Sequence, residues 1–205
     1  EAPARATGGD RFGAGIAVNG QLAVIGAPGP DFGPGKTWIF QYSGGTWTPV
    51  QLLLGATDDQ LGESVAIAWS GTNAYIAVGA PGALSDSTQG GIVYVYKWDG
   101  ATEWATLLWT LTEDGFTSGT SAFGQAVDIE MRGDGAVVVA VGNPWYLSQA
   151  HGCVEIHSCW DLGSSPYSFL EERLVPSTEN LDPWSIEWTA YVGSSVDLDG
   201  NRVII

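Results

Sequence analysis

Leu61-Gly62-Glu63-Ser64-Val65-Ala66-Ile67, Tyr75-Ile76-Ala77-Val78-Gly79-Ala80-Pro81 and Gly91-Ile92-Val93-Tyr94-Val95-Tyr96 are three apolar segments separated by turn residues. Each has the length and the β-branched or aromatic content of a strand. The same trio occurs earlier as Phe12 to Val18, Leu22 to Pro28 and Thr37 to Phe40. It occurs later as Phe123 to Ile129, Val137 to Pro144 and Cys153 to His157. A fourth occurrence opens with Val192-Gly193-Ser194-Ser195-Val196-Asp197-Leu198 and reaches Ile205 inside its second segment.

Working outward from these segments, strands are expected near 13–18, 21–27, 36–42 and 46–54 in the first unit. The second unit places them near 62–69, 73–80, 91–98 and 103–111, and the third near 124–131, 136–142, 152–159 and 169–175. The fourth unit supplies 192–198 and 201–205. Asn19-Gly20, Ser70-Gly71, Gly133-Asp134-Gly135 and Asp199-Gly200 form the turns between first and second strands, and Asn-Gly is a strong two-residue hairpin signal. Longer connections rich in Pro, Gly, Ser and Asp fall at 28–36, 81–90, 112–122 and 143–151, with an irregular stretch at 176–190. The units span 12–58, 59–115, 121–176 and 190–205. A repeat of this size with four strands is the signature of a β-propeller blade.

The residue pattern suits that architecture. Blades stack face to face, so inner strands are buried on both faces and read as continuous apolar runs. Tyr75 to Ala80 and Ala136 to Val141 are such runs. One glycine recurs at positions 13, 62, 124 and 193, and a second at 26, 79 and 142. Without a Cβ these positions admit a neighbouring backbone at close range. Phe12, Leu61 and Phe123 are expected to plug the space between adjacent blades. With the Gly13-to-Gly26 spacing, the counterpart of Gly26 in the fourth unit falls just past Ile205. The chain therefore reads as part of a longer repeat protein.

Among the 205 residues, 23 are acidic and 7 basic, a net charge of −16. That balance argues against a nucleic-acid partner, which is held by Lys and Arg, and against an anionic membrane surface. No apolar run approaches the ~18 residues of a membrane helix, so no membrane insertion is expected. The two cysteines are too few for a disulfide scaffold. There is no Asn-x-Ser/Thr sequon.

Phe12-Gly13 followed by Gly26-Ala27-Pro28 resembles the FG-GAP repeat, known from the seven-bladed propeller head of integrin α subunits and from many secreted proteins. The second copy has Leu61-Gly62 with Gly79-Ala80-Pro81. The third has Phe123-Gly124 with Gly142 and Pro144, and Asn143 in place of Ala; the fourth keeps Val192-Gly193. The resemblance covers most of the chain. It implies an extracellular or cell-surface protein of the adhesion or matrix type, with protein or glycan partners bound by loops on one propeller face. In many members it also implies calcium loops between the first two strands.

Those loops need alternating oxygen ligands. Asn19-Gly20 and Ser70-Gly71 carry no carboxylates, Asp197 to Asn201 is a residue or more too short, and Asp128 to Asp134 puts Arg132 at a ligand position. Asp128, Glu130, Asp134, Asp197 and Asp199 are the calcium candidates, with tight hairpin turns as their other role.

Other constellations stand beside this reading. His151, Cys153, Glu155, His157 and Cys159 share parity on one strand, a spacing at which two or three ligands can approach a zinc ion. Their counterparts in the second unit, Ile92, Tyr94, Tyr96 and Trp98, are blade-packing positions. Cys153 and Cys159 can form a disulfide only if the chain folds back between them. Arg132-Gly133-Asp134 is the adhesive tripeptide of integrin ligands and equally a hairpin turn. Trp47, Trp145, Trp184 and Trp188 are candidates for stacking on a sugar or anchoring a partner. No nucleophile elbow, catalytic triad, phosphate loop or paired-cysteine metal site is visible, and both histidines sit in one segment. The expected whole is an all-β partial propeller of about three and a half blades, non-catalytic, part of a seven-bladed ring. It would be completed by the rest of its own chain or by neighbouring subunits. Two alternatives stay open: a surface-filament subunit joined through open blade edges, and a non-catalytic part of a secreted hydrolase.

Overall fold

The computed structural model describes residues 9–30, 33–85, 88–113, 121–145, 152–161, 163, 166–175, 192–200 and 202–205. Every element among them is a strand. The first sheet holds β1 (Ile16–Asn19), β2 (Leu22–Ala27), β3 (Lys36–Ser43) and β4 (Thr46–Leu54), in that spatial order. The chain continues through β5 (Val65–Ser70) and β6 (Asn73–Ala80). A small hairpin, β7 (Leu84–Ser85) with β8 (Thr88–Gln89), stands where the sequence suggested only a loop. With β9 (Ile92–Asp99) and β10 (Trp104–Thr112), β5 and β6 make the second sheet. The third sheet is β11 (Ala126–Met131), β12 (Val137–Asn143), β13 (Cys153–Trp160) and β14 (Tyr167–Leu174). A last hairpin joins β15 (Asp197–Asp199) to β16 (Arg202–Ile204). All of these pairings are antiparallel, and the strands of each four-stranded sheet lie in chain order.

The three large sheets are copies down to an irregularity. In each, the register slips between the fourth and fifth residues of the third strand: Ile39/Phe40, Val95/Tyr96 and Ile156/His157. The unpaired extra residue falls on the outer strand, at Val50, Leu108 and Glu171 respectively. A bulge at one register position adds twist at the same place in every sheet.

First strands begin later than the sequence suggested. Expected starts at 13, 62, 124 and 192 become Ile16, Val65, Ala126 and Asp197. The cause is the glycine itself: Gly13, Gly62, Gly124 and Gly193 have φ of 93°, 94°, 91° and 89°. That left-handed region excludes an ordinary strand and favours glycine over any side chain. Each turn is tied to its own second strand, with the amides of Gly13, Gly62 and Gly124 donating to the carbonyls of Gly26, Gly79 and Gly142 at 2.8, 2.9 and 3.1 Å. Pro28, Pro81 and Pro144, all buried, follow the last residue of β2, β6 and β12 and end those strands, because proline has no amide to donate.

The same glycines fix how sheets meet. A Cβ built on Gly26 would lie 1.9 Å from the carbonyl oxygen of Gly62, one on Gly79 2.0 Å from that of Gly124, and one on Gly142 1.9 Å from that of Gly193. A second contact accompanies each. Gly35, Gly91 and Gly152, which open the third strands, would carry a Cβ within 2.2 Å of the backbone of Leu61, Phe123 and Val192. Gly35–Leu61 and Gly152–Val192 also form parallel bridges. Gly13 has the same conformation, yet its nearest outside atom is Cδ1 of Ile16 at 3.8 Å.

Around these contacts the sheets bury their faces on one another. Leu22, Val24, Ile39 and Leu53 of the first sheet pack with Leu61, Val65, Ile67, Ile76 and Val78. Val93, Val95 and Leu111 of the second pack with Phe123, Val127, Val137, Val139 and Val141. Ala140, Val154 and Ile156 of the third meet Val196, Leu198 and Val203 of the last hairpin. Leu61 and Phe123 are enclosed and do plug the junctions, each stabilising the pair of sheets by about 2 kcal/mol. Phe12 is half-buried and lies edge-on to Trp38 at 5.3 Å. β6 is buried along nearly its whole length, while β1 is largely exposed.

Replacing Gly79 with Ala is expected to lower unfolding stability by about 3 kcal/mol or more, or to abolish folding, because the obstructing atom is backbone. Gly133→Ala, where nothing lies within 4 Å of the added methyl, should stay within about 0.5 kcal/mol of the parent. Urea titrations of both variants check the pair.

Candidate functional site

Between the second and third sheets the apolar filling is interrupted by charge. On β13, Cys153, Glu155, His157 and Cys159 stand opposite Asn143, Val141, Val139 and Val137 of β12. Their face is turned to the second sheet, where Cys159 joins the apolar cluster and His157 meets the Phe123 ring edge-on at 5.8 Å. Tyr94 and Tyr96, the counterparts of Glu155 and His157, pack between the first two sheets as expected of such positions.

Glu155 is fully enclosed. Arg173, directly across on β14, donates to its Oε1 from Nε at 2.8 Å and from Nη2 at 2.5 Å. His157 Nε2 lies 3.1 Å from Oε2, and since a carboxylate only accepts, that nitrogen carries the proton. A second carboxylate, Glu113, follows β10 and is also buried. Its Oε2 accepts from Ser121 Oγ at 2.6 Å and Asn143 Nδ2 at 3.0 Å. Asn143 donates to Ser121 as well, and its Oδ1 accepts the Ala122 amide at 3.0 Å. Asn143 thus stands in the third unit where Ala27 and Ala80 stand in the others because it ties the second strand to Glu113 and the 121–122 segment. Among the described residues Glu113 Oε1 has no partner.

Burial pushes the Glu113 carboxyl above its ordinary value, and the Glu155 charge adds to the rise; hydrogen bonds from Ser121 and Asn143 and the Arg173 charge oppose it without cancelling it. Burial likewise pushes the Cys153 thiol up to about 12, with Glu155 adding to the rise, and the Cys159 thiol up to about 12. Thiols so protonated are poor nucleophiles and poor metal ligands. Among the described residues no three His, Cys, Asp or Glu side chains are placed to hold a metal, so the zinc reading of this strand does not fit. His151 lies outside the described residues. Cys153 and Cys159 are free thiols at the two ends of one continuous strand. The chain does not fold back between them, so the disulfide considered from the sequence is not formed.

A second polar tie joins the same sheets at the other end. Asp161, just past β13, accepts from Tyr75 at 3.0 Å and from Lys97 at 2.5 Å. Burial works against its charge, yet these donors hold its carboxyl below the ordinary range.

The calcium candidates are engaged elsewhere. Asp128 accepts the amides of Ile129 at 2.8 Å and Leu198 at 2.6 Å, and Glu130 accepts that of Gly200 at 2.9 Å, joining the third sheet to the last hairpin. Asp134 caps the Ala136 amide at 3.0 Å and pairs with Arg132. Asp197 and Asp199 both lie on β15, ahead of the last turn. These five carboxylates do not converge and do not fit a calcium loop. Arg132 reaches Asp134 and Glu171, so both charges of Arg132-Gly133-Asp134 are engaged within and beside its turn. Trp47 and Trp145 are exposed; Trp184 and Trp188 lie outside the described residues. Among the described residues no helix is long and apolar enough to cross a membrane.

The partners Glu113, Ser121 and Arg173 were not singled out from the sequence. The signal was there in Asn143 and in Glu155-x-His157, where the other copies are apolar or aromatic. No protein-family model matches the chain, and no curated protein matches it.

Two outcomes follow from the seam. Arg173→Met leaves Glu155 buried without its cation and should cost about 3–5 kcal/mol in urea titration. A carboxyl whose folded value is raised favours folding fully below its ordinary value of 4.5, and that contribution is lost as pH rises through the raised value. Glu113→Gln should therefore raise the melting temperature at pH 7, and the gain should shrink as the pH falls through the raised value and be gone by about 4.5, checked by thermal melts across that window.

Proposed function

We propose that the chain is a run of FG-GAP-type blades of a β-propeller, serving as a non-catalytic interaction or structural module at the cell surface or outside the cell. The observation that carries this reading is the paired glycine contact repeated at three successive junctions, Gly26 on Gly62, Gly79 on Gly124 and Gly142 on Gly193. It uses the two glycines that define the repeat, and it stacks four-stranded sheets face to face. The first strands β1, β5 and β11 pack side by side, as the innermost strands of a propeller do. A ring of this type takes about 4–8 blades, and seven is the number that the resemblance implies. Partners would be proteins or glycans held by the loops, with further blades of the chain or of neighbouring subunits completing the ring.

A second reading, a filament subunit, is favoured by one feature. On the outer face of the first sheet Ile16 (62%) and Val18 (61%) are exposed beside a groove lined by Phe12, Ala23, Ile25, Phe40 and Trp47. An apolar sheet face left open recruits a matching one.

Electron microscopy of the full-length natural protein separates the two. The propeller reading predicts discrete rings, and membrane-impermeant biotin applied to intact source cells should label the protein. Concentration-dependent fibres would favour the filament, and protein labelled only after lysis would overturn the placement outside the cell.

A further inference from the structure

Tyr75, Lys97 and Thr106 stand in register across β6, β9 and β10, and the first two reach Asp161 of the third sheet. One row further out, Asn73, Asp99 and Trp104 are in register in the same way. Residues two apart on a strand point to one face, so both rows share a face. With Thr102 of the β9–β10 turn, Asn73, Lys97, Asp99, Trp104 and Thr106 line an open shelf of about 330 Å³. That is the size of a small-ligand pocket.

The set belongs to the second unit alone. Counted from Gly26, Gly79 and Gly142, the positions of Asn73, Asp99 and Trp104 hold Gly20, Ser43 and Thr46 in the first sheet and Ala136, Trp160 and Tyr167 in the third. Trp160 and Tyr167 stack on one another. Trp104 is 53% exposed, so the common blade plan does not account for its ring.

The polar groups around that ring are reachable and have bonding capacity left. Among the described residues the Asn73 amide and the Thr106 hydroxyl engage no partner. Asp99 accepts the Ala101 amide on Oδ1 at 2.9 Å and the Thr102 hydroxyl on Oδ2 at 3.1 Å, and each carboxylate oxygen can accept again. Lys97 is paired with Asp161, and Asp99 adds a second carboxylate, which disfavours an anion. A metal ion lacks its ligands, since no three donor side chains converge among the described residues. A wholly apolar ligand would cover Asn73 and Asp99 without pairing them, at a cost. The complement is a neutral molecule with one apolar face and a rim of hydroxyls.

We propose that this shelf binds a neutral pyranose ring of a glycan, with the C–H face of the sugar on the Trp104 indole and its hydroxyls on Asn73, Asp99 and Thr106. The indole supplies rigid apolar area, and the amide and carboxylate fix the orientation of the ring. The site deepens the glycan reading given above and rests on it. Its failure would leave the ring architecture, which microscopy tests, untouched.

NMR titration of the chain with the methyl pyranosides of glucose, galactose, mannose and N-acetylglucosamine tests the proposal. Glycerol, which has hydroxyls without a ring, and cyclohexanol, which has a ring with one hydroxyl, are the comparators. At least one pyranoside should give saturable shifts centred on the Trp104 indole N–H, the Asn73 side-chain amide and the Thr106 amide, with no such response to either comparator. Trp104→Ala should weaken binding about tenfold or more, and Asn73→Ala about threefold or more. Trp47→Ala, an exposed tryptophan of the first sheet, should leave it unchanged. No response to any pyranoside at about 50 mM, an equal response to cyclohexanol, or unchanged affinity in Trp104→Ala would each overturn the proposal. Binding of a free hexose but not of its methyl glycoside would overturn the assignment to a glycan.

Discussion

A Cβ on a facing residue keeps two stacked sheets apart, and at each sheet junction of this chain a pair of facing glycines removes that obstacle. Stacked sheets ordinarily lie ~10 Å apart, held off by their side chains. Here Gly26, Gly79 and Gly142 let the next turn press onto the second strand, and that turn is itself shaped by a glycine of positive φ. One end of each junction is therefore pinned at backbone contact while the rest is spaced by Leu, Val and Ile. A wedge follows: close at the glycines, wider where Trp98 and Trp109 are buried. The remaining features, from the plugging Leu61 and Phe123 to the recurring bulges, are placed relative to that fixed point.

Junctions built on one backbone plan are filled differently. Between the first two sheets the third-strand positions are Tyr94 and Tyr96; between the second and third they are Glu155 and His157. Buried charges seldom add stability over well-packed apolar residues, but breaking one partner is costly. The seam therefore discriminates: Glu155 fits opposite Arg173, and Asn143 fits beside Glu113 and Ser121, so the second sheet accepts the third and not another copy of itself.

The strands of the four units and their pairing were legible in the sequence because apolar runs and turn residues alternate cleanly, while the short β7–β8 hairpin in the 81–90 loop was not. The glycine positions were legible as places of close approach. That Gly62, Gly124 and Gly193 also take a left-handed conformation was not, so the first strands were drawn two to five residues too long at their starts. The bulges at Val50, Leu108 and Glu171 left no trace, since an extra residue on an outer strand changes no local pattern. The polar seam was half legible. Glu155, His157 and Asn143 stood out by comparison with other copies, but Glu113 and Arg173 come from separate strands and only the fold brings them together. The Cys153–Cys159 pair shows the reverse, two residues near in sequence that a straight strand holds apart.

The central claim is that sheets touch through their glycines, and proton–proton contacts in solution report it most directly. Strong nuclear Overhauser effects between the Hα protons of Gly26 and Gly62, of Gly79 and Gly124, and of Gly142 and Gly193 are the predicted result. Their absence in a folded sample whose within-sheet Hα contacts are intact would contradict it.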